Sequence, residues 1–285
     1  MNKSKLAGIA GCVGIILAGC GGFVYTTVGG NVSGLVAGDG VTLRNEGNYK
    51  VGVSTDGPFS FNEASNASYS ISIYGQPNKT NCSVANGTGT MTGSGAVNNV
   101  SVTCVPNVPV SGTLSGLNDG NSIYLYNTTA KGLESLQVTT NSTFQFLSYV
   151  VSGSTYAVSV NIPPAGQYCT VNNATGTVDN QNLTGASNVS VNCVPAVPVK
   201  FTVSGLTSGS SLTLANAGVG AGDKLAVSND GTYSFNWSLL NGAPYTVSVD
   251  TQPTGQTCKV TNGTGVADLS NPTGASNILV NCVKN

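Results

Sequence analysis

The stretch VSNDGTYSF, residues 227–235, decides the fold of this chain because it recurs as VSTDGPFSF at 53–61 and as VTTNSTFQF at 138–146. In each copy apolar and polar residues alternate around a central Asp-Gly or Asn-Ser. Alternation with period two indicates half-buried β-strands, and Asp-Gly between two such runs is typical of a hairpin turn. We therefore expect a hairpin at this place in every copy.

Three further features recur in step with this stretch. A strand that begins with Tyr69, Tyr156 or Tyr245 follows each copy, and each tyrosine stands 13 residues before a cysteine. Ser-Gly-Leu opens each segment, and a second cysteine closes it. Because independent features keep one register at a period of about 88 residues, the chain contains three repeats. The predicted boundaries of repeats 1, 2 and 3 are residues 31–105, 110–194 and 199–285.

The composition fits an all-β chain. Of 285 residues 7% are charged and 38 are glycine, and Asn, Ser and Thr supply most of the polarity. Such residues favour turns and strand surfaces over helices. About seven short strands with frequent glycine turns in each repeat indicate a β-sandwich. We expect three tandem antiparallel β-sandwich domains, joined at 106–109 and 195–198 by proline-containing junctions biased towards polyproline II.

Six of the eight cysteines fall two to a repeat, 22, 24 and 24 residues apart, which predicts one disulfide in each repeat. A zinc site is disfavoured because the chain has no histidine and no Cys-x-x-Cys. Export would supply the oxidising compartment. Each bridge is expected to stabilise its repeat by about 3.5 kcal/mol. The predicted pairs are Cys82–Cys104, Cys169–Cys193 and Cys258–Cys282.

The N-terminal residues have the pattern of a signal peptide. Lys3 and Lys5 precede an apolar segment of 14 residues at 6–19, which is too short for a membrane-spanning helix. Leu-Ala-Gly before Cys20 resembles the lipobox of bacterial lipoproteins. This resemblance implies cleavage after residue 19 and a diacylglycerol thioether on Cys20. An uncleaved signal anchor and a buried strand are the alternatives.

Cys12 also follows a small-residue triplet, but only residues 6–11 stand before it as an apolar segment. Cys20 is therefore the predicted site of lipidation, and Cys12 is removed with the signal peptide at 1–19. Residues 20–30 are predicted to form an acylated tether because GGFVYTTVGG at 21–30 begins and ends with paired glycines. Two or three acyl chains hold a protein durably on a bilayer.

The repeats resemble known modules. Asp-Gly-[Pro/Thr]-[Phe/Tyr]-Ser-Phe followed by Tyr-x-Val-x-Val is similar to modules of the collagen-binding B-repeat and carboxypeptidase-regulatory (transthyretin-like) families. The fuller pattern, from Ser-Gly-Leu to the second cysteine, is similar to Ig-like repeats of exported Gram-negative proteins over residues 28–282. The resemblance implies a sandwich architecture and no activity. It departs from true immunoglobulin domains because each cysteine pair here spans only the last strands.

Neither catalysis nor a cofactor is indicated. The lack of histidine excludes Ser-His-Asp and Cys-His catalysis. The acids do not recur as the carboxylate pairs that glycoside hydrolysis needs. Asp39, Asp119 and Asp223 stand alone in glycine-rich turns, whereas calcium requires several converging oxygen ligands, so they are interpreted as turn residues. We expect a protein that is not an enzyme.

An internal Lys–Asn isopeptide bond, which is known in some B-repeat relatives, would need a buried lysine beside an acid. Lys50, Lys131 and Lys224 occupy unrelated positions in their repeats, which disfavours this crosslink. The formal net charge of −1 gives no electrostatic signal for nucleic acid.

One departure between the copies marks a candidate ligand face. Repeat 2 carries Tyr124 and Tyr126 at outward positions of its second strand, where Thr42 and Thr213 mark the same face in the other copies. Trp237 likewise replaces smaller residues in repeat 3. Exposed aromatics can stack on sugars or anchor a protein partner. The alternative is cross-strand packing that stabilises the sheet surface.

These observations predict a lipoprotein of the bacterial cell envelope, anchored in the outer membrane through Cys20 and facing the periplasm or the cell surface. The leading function is a non-catalytic structural, adhesive or display rod of Ig-like modules. The alternative is a module that binds carbohydrate or an envelope protein through the aromatics of repeat 2.

Overall fold

The computed structural model of the chain describes residues 25–46, 49–182, 186–218, 222–271 and 274–285. The predicted signal peptide and Cys20 lie outside the described residues. Strands dominate these ranges, and a 3₁₀ turn lies at Gly274–Ser276. Within the same ranges no helix has the length and apolar character needed to cross a membrane.

Repeat 1 folds into a β-sandwich. One sheet has the strand order β4-β1-β9-β7, the other has the order β3-β2-β6, and β5 pairs with β8. The strands are β1 (Tyr25–Ser33), β2 (Val41–Arg44), β3 (Lys50–Val53), β4 (Gly57–Ala64), β5 (Ser68–Ser70), β6 (Ser72–Gly75), β7 (Thr80–Ala85), β8 (Thr88–Thr90) and β9 (Val97–Pro106).

Repeat 2 has the same architecture. Its strands are β10 (Val108–Ser115), β11 (Ile123–Thr129), β12 (Gly132–Val138), β13 (Thr143–Val150), β14 (Thr155–Ile162), β15 (Gln167–Asn172), β16 (Thr175–Thr177) and β17 (Val189–Pro195). They form two four-stranded sheets, β13-β10-β17-β15 and β12-β11-β14-β16.

Repeat 3 follows the same plan. Its strands are β18 (Lys200–Ser204), β19 (Leu212–Asn216), β20 (Asp223–Val227), β21 (Gly231–Ser234), β22 (Pro244–Thr251), β23 (Gln256–Thr261), β24 (Thr264–Val266) and β25 (Ile278–Lys284). The sheet orders are β21-β18-β25-β23 and β20-β19-β22-β24. The predicted fold class, tandem all-β sandwich repeats, is confirmed.

The first and last strands of every repeat pair in parallel, while the second strand of every repeat pairs antiparallel with both of its neighbours. β1 runs beside β9, β10 beside β17, and β18 beside β25. Because both strands of a parallel pair run in one direction, the chain enters each repeat at one end and leaves it at the other.

Each repeat has its own apolar core, and the three clusters of buried residues are separate. The alternation seen in the sequence produces them: Leu212 and Leu214 of β19 are fully buried, while Thr213 between them is partly exposed. Tyr245 is buried, and its ring covers Gly265, where an added Cβ would come 2.4 Å from the phenol oxygen. The recurring tyrosine therefore packs on a recurring glycine.

By internal contacts the chain forms two compact units. The first contains the described residues up to Gln76 together with Cys82–Cys104, and the second contains Pro77–Asn81 and Val105–Asn285. The second unit holds the two cores of repeats 2 and 3.

The predicted tether at 20–30 is wrong for its second half. β1 begins at Tyr25, and Val28 is fully buried in the core of repeat 1. The glycines that suggested flexibility allow close packing instead. A Cβ on Gly29 would lie 2.0 Å from the Phe59 carbonyl oxygen, and one on Gly30 would lie 1.6 Å from that of Val100.

The first predicted junction, 106–109, is not a linker, because all but one of its residues belong to strands. β9 continues to Pro106 and β10 begins at Val108, so one residue separates the two strands. Val108 and Val197 are fully buried. Val197 exchanges two backbone hydrogen bonds of 2.8 Å with Leu239. The valines beside the prolines are apolar enough to enter the cores, so both junctions contain buried residues.

The Asp-Gly turns do not close hairpins. Asp56 lies between β3 and β4, which belong to different sheets, and Asp230 lies between β20 and β21, which also belong to different sheets. Each turn is therefore an arch from one sheet to the other. The prediction failed because the aspartate bonds to a distant turn instead of completing a two-strand ladder.

The disulfides join the predicted partners, Cys82–Cys104, Cys169–Cys193 and Cys258–Cys282. In repeats 2 and 3 the two cysteines face each other across the antiparallel ladders β15–β17 and β23–β25. Each bridge therefore attaches the last strand of its repeat to the adjacent edge strand.

Candidate functional site

Ser204–Leu206, the opening turn of repeat 3, is held by the aspartate of the recurring Asp-Gly. The carboxylate of Asp230 accepts hydrogen bonds from the N–H groups of Gly205 and Leu206, at 2.9 and 2.8 Å. Both donors would otherwise need water, since they lie beyond the end of the β18 ladder.

Gln256 and Cys282 complete this arrangement. The buried Gln256 donates from Nε2 to the Gly205 carbonyl at 2.8 Å and accepts the Thr207 N–H at 2.8 Å. Gly205 has a φ of 79°, and a Cβ there would come 2.4 Å from the Cys282 carbonyl oxygen. Only glycine fits this turn against the last strand.

The opening turns of the other repeats are held in the same way. In repeat 1, Asp56 accepts the N–H groups of Gly34 and Leu35, both at 2.9 Å. In repeat 2 an amide replaces the carboxylate: Asn141 accepts the Leu117 N–H and donates to the Leu117 carbonyl, both at 2.8 Å.

The glutamine is present in two of the three copies. Gln167, fully buried in repeat 2, donates to the Gly116 carbonyl at 2.6 Å and accepts the Asn118 N–H at 2.9 Å. Repeat 1 has the buried Thr80 at this position. Ser-Gly-Leu, the turn Asp or Asn and the second cysteine thus meet at one end of each sandwich, and their recurrence is explained by folding.

Two acids, one in repeat 2 and one in repeat 3, accept hydrogen bonds from the backbone. Glu134 accepts the N–H groups of Leu147 and Ser148 at 2.6 and 3.0 Å. The buried Asp223 accepts the Trp237 N–H at 2.7 Å, so it does for repeat 3 what Glu134 does for repeat 2. The signal was available in the sequence, since each acid stands seven residues after a buried asparagine, Asn127 or Asn216.

Within the described ranges, no group of three or more Cys, Asp or Glu residues is placed to hold a metal ion. None of the lysines in these ranges is buried, so none has the setting that an isopeptide bond needs. Lys224 forms an exposed ion pair with Asp250 at 2.7 Å, and a hydrogen bond and the charge from Lys224 lower the pKa of that carboxyl.

Tyr124 and Tyr126 are half-buried on the outer face of β11, where the sequence analysis expected solvent. Tyr126 lies opposite Ser135 of β12 and Ser159 of β14, two small polar residues. Leu133 stands on the same face and is 60% exposed. These aromatic and aliphatic side chains form an outward surface on repeat 2.

Trp237 lies next to this face and not on it. It is half-buried and lines a hollow with the neighbouring strands β14 and β15 of repeat 2, including Ser159, Tyr168 and Thr170. Ser159, the cross-strand partner of Tyr126, therefore borders both the tyrosine face and the tryptophan hollow. Trp237, a residue of repeat 3, therefore lies beside repeat 2.

Repeat 1 carries an aromatic and cationic surface that the sequence analysis did not single out. The Lys50 ammonium lies 3.5 Å from the ring centroid of Tyr74, and the Arg44 guanidinium lies 5.8 Å from it. Hydrogen bonding and charge from Lys50 lower the pKa of the Tyr74 phenol. Tyr25 and Tyr49, which line a groove with Lys50, are 73% and 69% exposed. Arg44 and Tyr74 stand at outward positions of paired strands, and their alternation was the available signal.

No protein-family model matches this sequence, and no curated protein matches it either. Among solved structures, two B repeat units of the collagen-binding protein of Staphylococcus aureus cover 92% of this chain and 75% of their own, at 12% identity and a TM-score of 0.24.

The Bacillus anthracis TIE protein covers 81% of this chain at 10% identity with a TM-score of 0.25. The open conformation of the pilus adhesin SpaC from Lactobacillus rhamnosus GG covers 92% at 10% identity with a TM-score of 0.23. This chain spans 45% and 40% of those two proteins.

Proposed function

We propose that this protein is a lipid-anchored component of the bacterial cell envelope, in which three non-catalytic β-sandwich modules act as a structural or adhesive spacer. The observation that carries the proposal is the parallel pairing of first and last strands in all three repeats. A module that takes the chain in at one end and releases it at the other adds length with each copy. A module whose termini share one end would not.

The recurring residues support a structural role. Ser-Gly-Leu, the turn Asp or Asn, and the second cysteine are engaged with one another inside each repeat. Selection for a shared active site would instead leave a recurring polar group free in a cleft. The three disulfides favour an oxidising compartment outside the cytoplasm.

The anchor is proposed from the lipobox at Cys20 and from the sulfur chemistry of the remaining chain. All six cysteines beyond residue 30 are paired in disulfides, so none of them is available as an attachment site. An acyl group on Cys20 would leave only a few residues between the lipid and the start of β1 at Tyr25.

Metabolic labelling with an alkyne-bearing palmitate in a Gram-negative host tests the anchor. We expect the label to be incorporated by the wild type and lost in Cys20→Ser, with the precursor accumulating. Cys12→Ser is the matched control, since it lies in the same apolar run, and it should retain the label. Label that persists in Cys20→Ser and disappears in Cys12→Ser would overturn the assignment.

Protease treatment of intact cells tests the location of the modules. A surface-exposed spacer should be degraded without permeabilisation, whereas a periplasmic spacer should be degraded only after the outer membrane is opened. Fractionation of the repeats with the cytoplasm would contradict the proposed envelope location.

A second candidate function is binding of a glycan or protein partner by the outer face of β11. The outward tyrosine pair, with the exposed Leu133 beside it, favours this candidate. Tyr124→Thr/Tyr126→Ala installs the residues that repeat 3 has at these positions, Thr213 and Ala215, so the variant should fold. A glycan array with acyl-free protein should lose specific signals in this variant. Unchanged signals, or none in the wild type, would exclude a glycan site here.

A further inference from the structure

The parallel pair in each repeat has a direction relative to the chain. In repeat 1, β1 and β9 are matched at five positions from Val28↔Val97 to Ser33↔Thr103. Tension along the chain would pull β1 from its N-terminal end and β9 from its C-terminal end. These ends lie at opposite ends of the ladder, so the pull displaces the two strands past each other along their length.

This geometry determines how the ladder resists. Inter-strand hydrogen bonds run across the strands, so sliding loads all of them together. When both strands are instead pulled from the same end, the bonds open one after another. We infer that each repeat bears tension along the chain, with the parallel pair of its first and last strands as the element that resists it. The inference deepens the proposed spacer function and rests on it.

Side chains reinforce the ladder where the first strand ends. Ser204 Oγ donates to Asn281 Oδ1 of the last strand at 2.6 Å, and Ser115 Oγ donates to Asn192 Oδ1 at 3.2 Å. In repeat 1, Ser33 Oγ donates to the Val102 carbonyl at 3.5 Å. The serine of Ser-Gly-Leu thus connects the first strand to the last strand in every repeat.

The disulfide limits what a ruptured repeat can release. Each bridge closes a loop that contains most of the last strand, with sequence separations of 22, 24 and 24 residues. Those residues cannot extend while the bridge is intact. At 3.3–3.6 Å per extended residue, each bridge withholds roughly 70–90 Å of chain.

Single-molecule force spectroscopy on the mature chain with Cys20→Ser tests the inference. One handle is attached at the N-terminus, and the other is attached to an azide-bearing residue at Asn98 or at Thr103. Both positions are exposed on β9, in the same repeat and the same disulfide loop. A handle at Thr103 slides β1 past β9, whereas a handle at Asn98 separates the strands from one end.

We expect the rupture force with the Thr103 handle to be at least about threefold that with the Asn98 handle at equal loading rates. Equal forces, or a higher force at Asn98, would overturn the inference. Thermal unfolding of both variants serves as the folding control, and matched midpoints show that only the direction of force differs.

Pulling the unmodified chain from N- to C-terminus needs no handle inside a strand. It should give three ruptures, each at about the force measured with the Thr103 handle. A thiol reductant added afterwards at constant force should then release a further extension of roughly 70–90 Å for each disulfide. Ruptures at the lower force measured with the Asn98 handle would contradict the inference. If Cys20 is not labelled by palmitate, the proposed lipid anchor is wrong, but the rupture forces do not depend on it. Failure of the anchor and failure of the tension-bearing strand pair are therefore distinguishable.

Discussion

Repeats 2 and 3 have the same strands in the same order, but they are braced by different side chains. Repeat 3 holds its opening turn with the carboxylate of Asp230 and braces Cys258 through Gln252, whose side-chain amide bonds both the N–H and the carbonyl of that cysteine at 2.8 and 3.0 Å. Repeat 2 has Asn141 at the first position and Pro163 at the second.

A buried asparagine at the end of the second strand shows the same contrast. Asn216 of repeat 3 accepts the N–H groups of Gly218 and Thr246 at 3.1 and 3.3 Å. Asn127 of repeat 2 is also fully buried, but neither its amide nitrogen nor its carbonyl oxygen has a hydrogen-bond partner among the described residues. The fold therefore tolerates different side chains at each of these positions. Of the two asparagines, the one in repeat 2 has fewer hydrogen bonds for its buried side chain.

The largest expected effect comes from removing the disulfides. Cys258→Ser/Cys282→Ser and Cys169→Ser/Cys193→Ser should each lower the free energy of unfolding by about 3.5 kcal/mol. Because Gln252 still bonds the backbone at residue 258, repeat 3 of its variant should remain folded at urea concentrations that unfold repeat 2 of the other variant. Hydrogen exchange with peptide resolution follows each repeat separately. A more stable repeat 2 in the paired variants would reverse the comparison.

The next effect tests the aspartate against the asparagine. Asp230→Ala removes the acceptor of two backbone N–H groups and should cost about 1–2 kcal/mol in repeat 3. Asp230→Asn restores the side chain that repeat 2 uses and should cost less than about 0.5 kcal/mol. Urea titration monitored by Trp237 fluorescence measures both. Equal losses in the two variants would show that the charge, and not the acceptor, is needed.

The buried asparagines should respond in opposite directions. Asn127→Leu removes an unpartnered amide from repeat 2 and should stabilise it by about 1 kcal/mol. Asn216→Leu leaves the Gly218 and Thr246 N–H groups without their acceptor and should destabilise repeat 3 by about 1 kcal/mol. The measurement is the unfolding midpoint of each repeat by hydrogen exchange. Destabilisation by both substitutions would mean that Asn127 is bonded in solution.

The smallest effect concerns an ion pair that repeat 3 has and repeat 2 lacks. Lys224 lowers the pKa of Asp250, so the pair contributes stability above the ordinary carboxyl pKa and loses it as pH falls through the lowered value. Repeat 2 has Ser135 and Asn161 at these positions. In Lys224→Met, carboxyl titration by NMR should show the pKa of Asp250 moving back up. An unchanged pKa would remove this difference between the repeats.

The sequence was sufficient for the repeats, the strands and the cysteine pairs because all three depend on local alternation and regular spacing. The sequence was not sufficient where a residue contacts a strand that lies far away along the chain. Gly29 and Gly30 suggested a tether, whereas their lack of a Cβ permits contact with strands that follow much later in the chain. The parallel pair of β1 and β9 leaves no mark in either strand, since alternation is the same in parallel and antiparallel edges of a half-buried sheet.

The candidate ligand face was predictable in part for the same reason. Period-two alternation placed Tyr124 and Tyr126 on the outer side of their strand, but it could not show that neighbouring side chains half-bury them. Trp237 lines a hollow together with residues of another repeat, which a comparison of aligned repeats cannot detect.

The central claim is that the recurring residues hold each opening turn onto the last strand, and hydrogen exchange of the turn amides tests it most directly. In the wild type, the N–H groups of Gly205, Leu206 and Thr207 should exchange as slowly as those of β18, although they lie outside the ladder. In Asp230→Ala, Gly205 and Leu206 should lose protection while Thr207, bonded to Gln256, keeps it. Exchange of all three in the wild type at the rate of solvated loops would contradict the account.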